Sequence, residues 1–476
     1  MTLTEPHSAT PPPTTRQIRR RGGWFGALML RLHFYAGILI GPFILVAALS
    51  GALYALTPQL EHAVYSQELH APHSETTLSL ATQIETANEY IGDDAVLFAV
   101  RPAPENGDTT RIMYSEDGLG SSESRAVFVD PGTGEIRGDL VVYGTSGSTP
   151  LRTWISNLHR NLNLGDTGRL YSELAASWLG IVAVAGLALW VMRIRTARGK
   201  RDLLRPNLRH RGYHGLLGWH ASVGVWVLLG AIFLSATGIT WSQYAGANIA
   251  DLRASFDGGT PTVNTSLDGA EPAADEHAHH RGAPIASTGA ANPETFDAVL
   301  AIAQRENVNT GEVEIKPPAE SGTAWTVREI KTGFPTEADS LAIDGTTMQV
   351  VDRVDFADFP LTAKLASWGV NLHMGVMFGL ANQIILFVIA SALVSMTVLG
   401  YLMWWRRRPS RDSARIVGAA PRPALQSAPW WGIGVVAAAA VLIGLWLPLV
   451  GWTLLAFLAV DAVLGVHRRL RGRARS

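Results

Sequence analysis

The chain has 476 residues, 47% of them hydrophobic, with a formal net charge of −1 and no cysteine. Several apolar runs are too long for soluble core helices, so composition points to a polytopic membrane protein with the lipid bilayer as its solvent. The absence of thiols excludes disulfides, thiolate nucleophiles, iron–sulfur clusters, covalently attached haem and zinc fingers, and leaves any metal to His, Met, carboxylate or backbone ligands.

A tail over residues 1–22, containing "RQIRRR", reads as disordered and leads into transmembrane helix 1 (23–57). Its apolar run at 32–56 is longer than that of a signal peptide. Residues 58–150 carry a small α+β module in which "TTLSLATQIETANEYIG" reads as helix, "RIMYSE" and "AVFVD" as strands, and "DPGTGEI" as a turn. A histidine-bearing segment and transmembrane helix 2 occupy 151–193, with the apolar run at 172–192. A loop (194–211) then precedes transmembrane helix 3 (212–242, apolar at 218–241). The Ala-, Gly- and Pro-rich stretch 243–292 reads as a flexible loop, and its "EHAHH" tract (His277, His279, His280) as solvated rather than metal-binding.

The second α+β module (293–360) opens with "PETFDAVLAIAQREN", Pro at a helix start, followed by strands "EVEIKP", "AWTVREI" and "SLAIDGTTMQVVDRVDF". A second histidine-bearing segment and transmembrane helix 4 fill 361–408, with the apolar run at 381–405. After a basic linker (409–428), shorter apolar runs at 430–447 and 449–466, broken at Pro448, read as a transmembrane hairpin (429–467) before a basic tail (468–476) that His467 adjoins. Lys and Arg gather in the termini and short loops, Asp and Glu in the two long connections. By the positive-inside rule both termini are cytoplasmic and both modules extracytoplasmic. No glycine-rich dinucleotide fingerprint or P-loop is present, and nucleic acid is not an expected partner.

The succession helix, module, helix occurs twice, and the halves align position by position. His33 and His220 are each followed by Gly four residues on (Gly37, Gly224), a hydroxyl residue seventeen on (Ser50, Thr237) and Gly eighteen on (Gly51, Gly238). His159 and His373 share Gly at six (Gly165, Gly379), Gly at twenty-seven (Gly186, Gly400), Trp at thirty-one (Trp190, Trp404) and Arg at thirty-four (Arg193, Arg407). His33 and His220 start outward-running helices, whereas His159 and His373 precede inward-running ones, so the four define an inner and an outer level. A pseudo-two-fold axis along the membrane normal would set His33 against His220 and His159 against His373, the geometry of bis-histidine haem ligation. Gly37 and Gly224 would leave room for the macrocycle. A single interfacial His is ordinarily structural; four at matched positions point to a cofactor, two haems b per chain. His214, six residues before His220, is an alternative inner ligand.

From His159 to Trp190 is 31 residues, about 46 Å as continuous helix against a core of roughly 30 Å. Each outer histidine is therefore expected on a bent or re-entrant segment, with "GDTG" (165–168) and Gly379 as the breaks.

The four histidine-containing segments, with "VFVDPGTGEIRG" and "LAIDGTTMQVVDRV", resemble the PepSY-associated transmembrane family over residues 24–408. The resemblance implies a four-helix core built from a duplicated helix–PepSY–helix unit, to which the C-terminal hairpin is an addition. It also implies an iron-regulated protein of the bacterial inner (cytoplasmic) membrane, related to haem-containing ferric-siderophore reductases, with His33, His159, His220 and His373 as haem ligands. The expected function is electron transfer from quinol or a separate donor protein to an external ferric siderophore or other ferric chelate. The rival readings are a non-enzymatic adaptor or peptidase-inhibitor protein, and a metal permease that uses the histidines as a relay.

Overall fold

The computed structural model describes residues 23–92, 95–120, 122–196, 204–206, 211–256, 258–267, 291–406 and 428–473. The expected N-terminal tail, His277, His279 and His280, Arg407, and most of the loop 194–211 and the linker 409–428 lie outside the described residues.

The membrane part begins with α1 (Gly23–Leu39) and α2 (Gly41–Tyr54), two halves of one apolar run bent by 63°. The cause is Pro42, which has no N–H to give to the carbonyl of Ile38, four residues back. The short α3 (Thr57–Val64) and α4 (Ser66–Leu69) lead into α5 (Leu80–Ile91) and the strands β1 (Ala95–Arg101), β2 (Thr110–Glu116), β3 (Glu123–Val129) and β4 (Ile136–Tyr143). Next come α6 (Pro150–Asn161), α7 (Gly165–Thr196), α8 (Gly212–Thr240), α9 (Tyr244–Ala254) and α10 (Pro293–Arg305). The second set of strands is β5 (Val313–Lys316), β6 (Trp325–Glu329), β7 (Ser340–Ile343) and β8 (Val350–Val354), followed by α11 (Leu361–Met374), α12 (Gly379–Arg406), α13 (Trp430–Trp446) and α14 (Pro448–Arg473).

Helices α7, α8 and α12 are each long and apolar enough to cross a membrane, and the bent pair α1–α2 passes the same test when its two halves are taken together. The pair packs on α7, α7 on α8, α8 on α12, and α12 back on α2, which closes a four-helix ring. The bent pair and α8 therefore stand on one diagonal, α7 and α12 on the other. The Tyr401 hydroxyl, on α12, donates to the Ile38 carbonyl at 2.7 Å, replacing the bond that Pro42 removes. Gly41 accepts this tyrosine closely: a Cβ there would lie 3.0 Å from the hydroxyl.

The two α+β modules are joined as one antiparallel sheet of order β4-β3-β2-β1-β5-β6-β7-β8. Two four-stranded meanders meet where Val100 of β1 pairs with Ile315 of β5. Pairing these strands removes two open edges. Helices α5 and α10 lie against each other over a shared core that includes Ile84, Val100, Ile112, Phe296, Ile315 and Leu341. The carboxylate of Asp297 in α10 accepts from the amides of Leu80 and Ala81 at the start of α5, at 2.8 and 2.9 Å, so one module caps a helix of the other.

Part of the expected loop 243–292 is ordered as α9. The buried carboxylate of Glu173, on α7, accepts from the amides of Tyr244 and Ala245 at 2.9 and 3.0 Å and so caps that helix from outside its own sequence. The hairpin of α13 and α14 breaks at Leu447–Pro448, as Pro448 predicts. It is fastened to the core by the Trp178 indole donating to Thr453 at 3.0 Å, by Tyr35 against Phe457, and by Asn248 of α9 donating to the carbonyls of Leu445 and Trp446. Close approach of Gly444 and Gly451 lets the two helices turn back on each other.

A buried ion pair at the sheet seam, Arg101 to Glu314 at 2.6 Å, joins β1 to β5. Burial alone would raise the Glu314 carboxyl, but the guanidinium of Arg101, aided by Lys316 and Arg328, outweighs it and holds it at about 2. A depressed carboxyl contributes stability above its unfolded value and loses it as pH falls through the folded one. Unfolding of the sheet should therefore become easier between about pH 4.5 and 2. Glu314→Ala, which strands the arginine, should cost about 3–5 kcal/mol. Hydrogen exchange of the β1 and β5 amides against pH measures both effects.

Candidate functional site: two facing histidine pairs

His33 on α1 faces His220 on α8 across the bundle diagonal, with ring centres 6.0 Å apart and planes at 78°. Nearer the sheet, His159 in the last turn of α6 faces His373 in the last turn of α11, at 6.4 Å and 50°. The four histidines thus form the two levels that their spacing predicts, with the expected partners.

The outer-level helices end where the length argument demands a break. After His159 the chain turns through Leu162 and Asn163, both left-handed with φ 57° and 55°, before α7 starts at Gly165. After His373 it turns at Gly375, φ 78°, before α12 starts at Gly379. The breaks therefore fall just before the predicted Gly165 and Gly379, which are the first residues of the next helices. Side chains from those helices satisfy the turn carbonyls: Tyr171 donates to His159 O at 3.1 Å and Asn382 to Leu372 O at 3.0 Å.

Each imidazole is held at Nδ1 by a neighbouring segment. His33 Nδ1 lies 3.0 Å from the Val182 carbonyl and His220 Nδ1 lies 3.1 Å from the Met396 carbonyl. A carbonyl can only accept, so both nitrogens carry the proton. His159 Nδ1 lies 3.0 Å from Ser50 Oγ, and His373 Nδ1 lies 2.6 Å from Thr237 Oγ1. Those hydroxyls spend their own hydrogens on the carbonyls one turn back, Val46 and Phe233, at 2.8 Å each, and so accept from the rings. All four imidazoles share one tautomer, with Nδ1 protonated and the Nε2 lone pair available to a metal.

The repeat spacing now has physical content. Ser50 and Thr237, the hydroxyls seventeen residues after the inner histidines, hold the outer ones. Val182 and Met396 both lie twenty-three residues after an outer histidine and hold the inner ones. The following glycines make room for rings: a Cβ at Gly51 would lie 3.2 Å from His159, and one at Gly186 would lie 3.1 Å from His33. The expectation for Gly37 and Gly224 divides, since Gly37 faces open space whereas the methyl end of Met396 lies 3.0 Å from a Cβ at Gly224. His214 is exposed beside Tyr213, on the α8 turn away from the pair, and does not face His33.

Among the described residues no three His, Asp or Glu side chains converge as a metal cage. Each level offers two imidazoles only. With about 2.0–2.1 Å per metal–nitrogen bond and about 1.1 Å from nitrogen to ring centre, an ion midway between two opposed imidazoles sets their centres about 6.3 Å apart. The observed 6.0 and 6.4 Å match that separation.

Thr237→Val keeps the shape at the outer level but leaves the Nδ1–H of His373 without an acceptor. It should lower stability by about 1–3 kcal/mol, while Thr237→Ser stays near neutral. Chemical denaturation of the two variants in detergent compares them.

A search of curated proteins gives no match. The profile of the PepSY-associated TM region matches residues 30–407, a span that takes in all four histidines and every strand of the sheet. The chain is therefore a member of the PepSY-associated transmembrane family.

Proposed function

We propose that this protein is a di-haem b reductase of the bacterial inner membrane that passes electrons from quinol or a separate donor protein to an extracytoplasmic ferric chelate such as a siderophore. The observation that carries the reading is four imidazoles arranged as two facing pairs, each with an oxygen partner at Nδ1. His33 with His220, and His159 with His373, would hold a haem iron through their Nε2 atoms, and two protein ligands would suffice because the macrocycle supplies the others, which suits sites without a third side-chain ligand. When bound, haem b supplies one-electron exchange at each level.

The protein's own contributions follow from the contacts. Carbonyls and hydroxyls at Nδ1 fix ring orientation and raise the basicity of Nε2. From His220 to Thr237, which holds His373, is seventeen residues of unbroken helix, about 25 Å. Between the levels, Ala48, Ala231 and Leu393 meet with Leu179 and Ile389 around them, an apolar layer that keeps out water and protons. The substrate iron, taking one electron, becomes Fe(II) and is held more weakly by hard oxygen ligands.

The distribution of Lys and Arg supports cytoplasmic termini and an extracytoplasmic sheet. The repeated hydrogen bonds and the meeting of two meanders at β1–β5 support a duplicated helix–PepSY–helix unit.

Purified protein from haem-replete cells should contain two haems b per chain by pyridine haemochrome against amino-acid analysis; a colourless, folded preparation sinks the reading and leaves the adaptor or permease. His373→Ala or His159→Ala should remove the outer haem and abolish reduction of an external ferric chelate in vesicles, with the inner haem still reducible. His33→Ala or His220→Ala should block electron entry while the outer haem still responds to added dithionite.

A further inference from the structure

A second group of histidines lies beside the sheet, apart from the two pairs. His62 lies in the last turn of α3, and His70 follows α4 eight residues later. The chain around His70 is pinned to the loop before β2: Ala71 N donates to Gly107 O at 2.9 Å, Thr109 Oγ1 to Glu68 O at 2.6 Å, and His70 forms a β-bridge with Asp108. This anchoring sets the imidazole of His70 before any ligand arrives.

The two rings lie within 12° of a common orientation, with centres 5.1 Å apart, and His62 Nδ1 is 3.0 Å from His70 Nε2. The centre separation exceeds the nitrogen separation by about two ring radii, so the rings meet edge to edge rather than face to face. On the far edge of His70, Nδ1 lies 3.1 Å from Asp108 Oδ1. The carboxylate accepts, so Nδ1 carries the proton and the Nε2 lone pair of His70 points at His62. The side chains of His70 and Asp108 are 43% and 30% exposed, so solutes reach them.

We propose that His62 and His70 form a two-imidazole site for a first-row divalent cation, with Asp108 as the outer carboxylate that holds the tautomer of His70. A carboxylate on the second nitrogen is the usual companion of a metal-bound histidine and raises its basicity. On binding, the metal takes the place of the proton between the rings, and His62 keeps its single proton by moving it from Nδ1 to the solvent-facing Nε2. No net proton is released. Two in-line bonds of about 2.0–2.1 Å need the facing nitrogens about 4.1 Å apart, so the exposed ring of His62 must swing away by about 1 Å from its present 3.0 Å while His70 stays anchored. Among the described residues no third His, Asp or Glu closes the site. The remaining positions stay open to water or chelate oxygens, which makes the site exchangeable. Imidazole selects the Fe, Ni, Cu and Zn class over Mg and Ca. The assignment stands independently of haem at the two pairs.

Equilibrium dialysis of the full-length protein in detergent against Zn(II) alone tests it. His62→Ala and His70→Ala should each lose one equivalent of zinc relative to wild type with an unchanged thermal unfolding midpoint, and Asp108→Asn should retain that equivalent with about 10–100-fold weaker affinity. Wild-type zinc binding in the alanine variants overturns the site and leaves the trio as a hydrogen-bonded brace. Where an alanine variant fails to fold, the near-isosteric Asp108→Asn decides alone, and unchanged affinity there likewise overturns it.

Discussion

Four hydrogen bonds at imidazole Nδ1 organise the membrane part of this protein. Each joins a histidine to a segment remote in sequence: α1 to α7, α8 to α12, α6 to α2 and α11 to α8. In a medium without water an unpaired N–H is costly, so each bond fixes ring, tautomer and helix position together. The small residues beside these bonds follow from the same demand. Gly51 and Gly186 lie where a side chain would strike an imidazole, which explains glycine there better than helix flexibility does.

The backbone breaks obey one rule as well. At four interruptions of the helical ladder among the described residues, another segment supplies the missing partner. Tyr401 donates to Ile38 O above Pro42, Tyr171 and Asn382 donate to carbonyls in the two outer turns, and Glu173 accepts the free amides of α9. The interruptions are therefore satisfied features of the fold. They bring the outer histidines back into the bundle on short helices instead of carrying them beyond the bilayer.

The sheet joins the two α+β modules. Joining β1 to β5 buries the Arg101–Glu314 pair and places α5 and α10 over one core.

Much of this was legible in the sequence. Apolar length marked the spans, and Pro448 the hairpin turn. Matched spacings marked His33, His159, His220 and His373, because a repeated constraint leaves a repeated residue. Ser50 and Thr237 stood out as hydroxyls at matched places, though without a role. The partners Val182 and Met396 left no signal, since any residue offers a carbonyl. The bend at Pro42 and its rescue by Tyr401 join residues far apart in the chain. Strand β1 carries too weak an alternation to be legible, and the union of the modules leaves no local mark because edge pairing depends on where two distant meanders are held. Helix α9 leaves no start signal in its own stretch because its cap, Glu173, belongs to another helix. Periodicity and spacing are local properties of the chain and determined the elements and the candidate histidines; hydrogen-bond partnership across segments is a property of packing, and only the tertiary structure decided it.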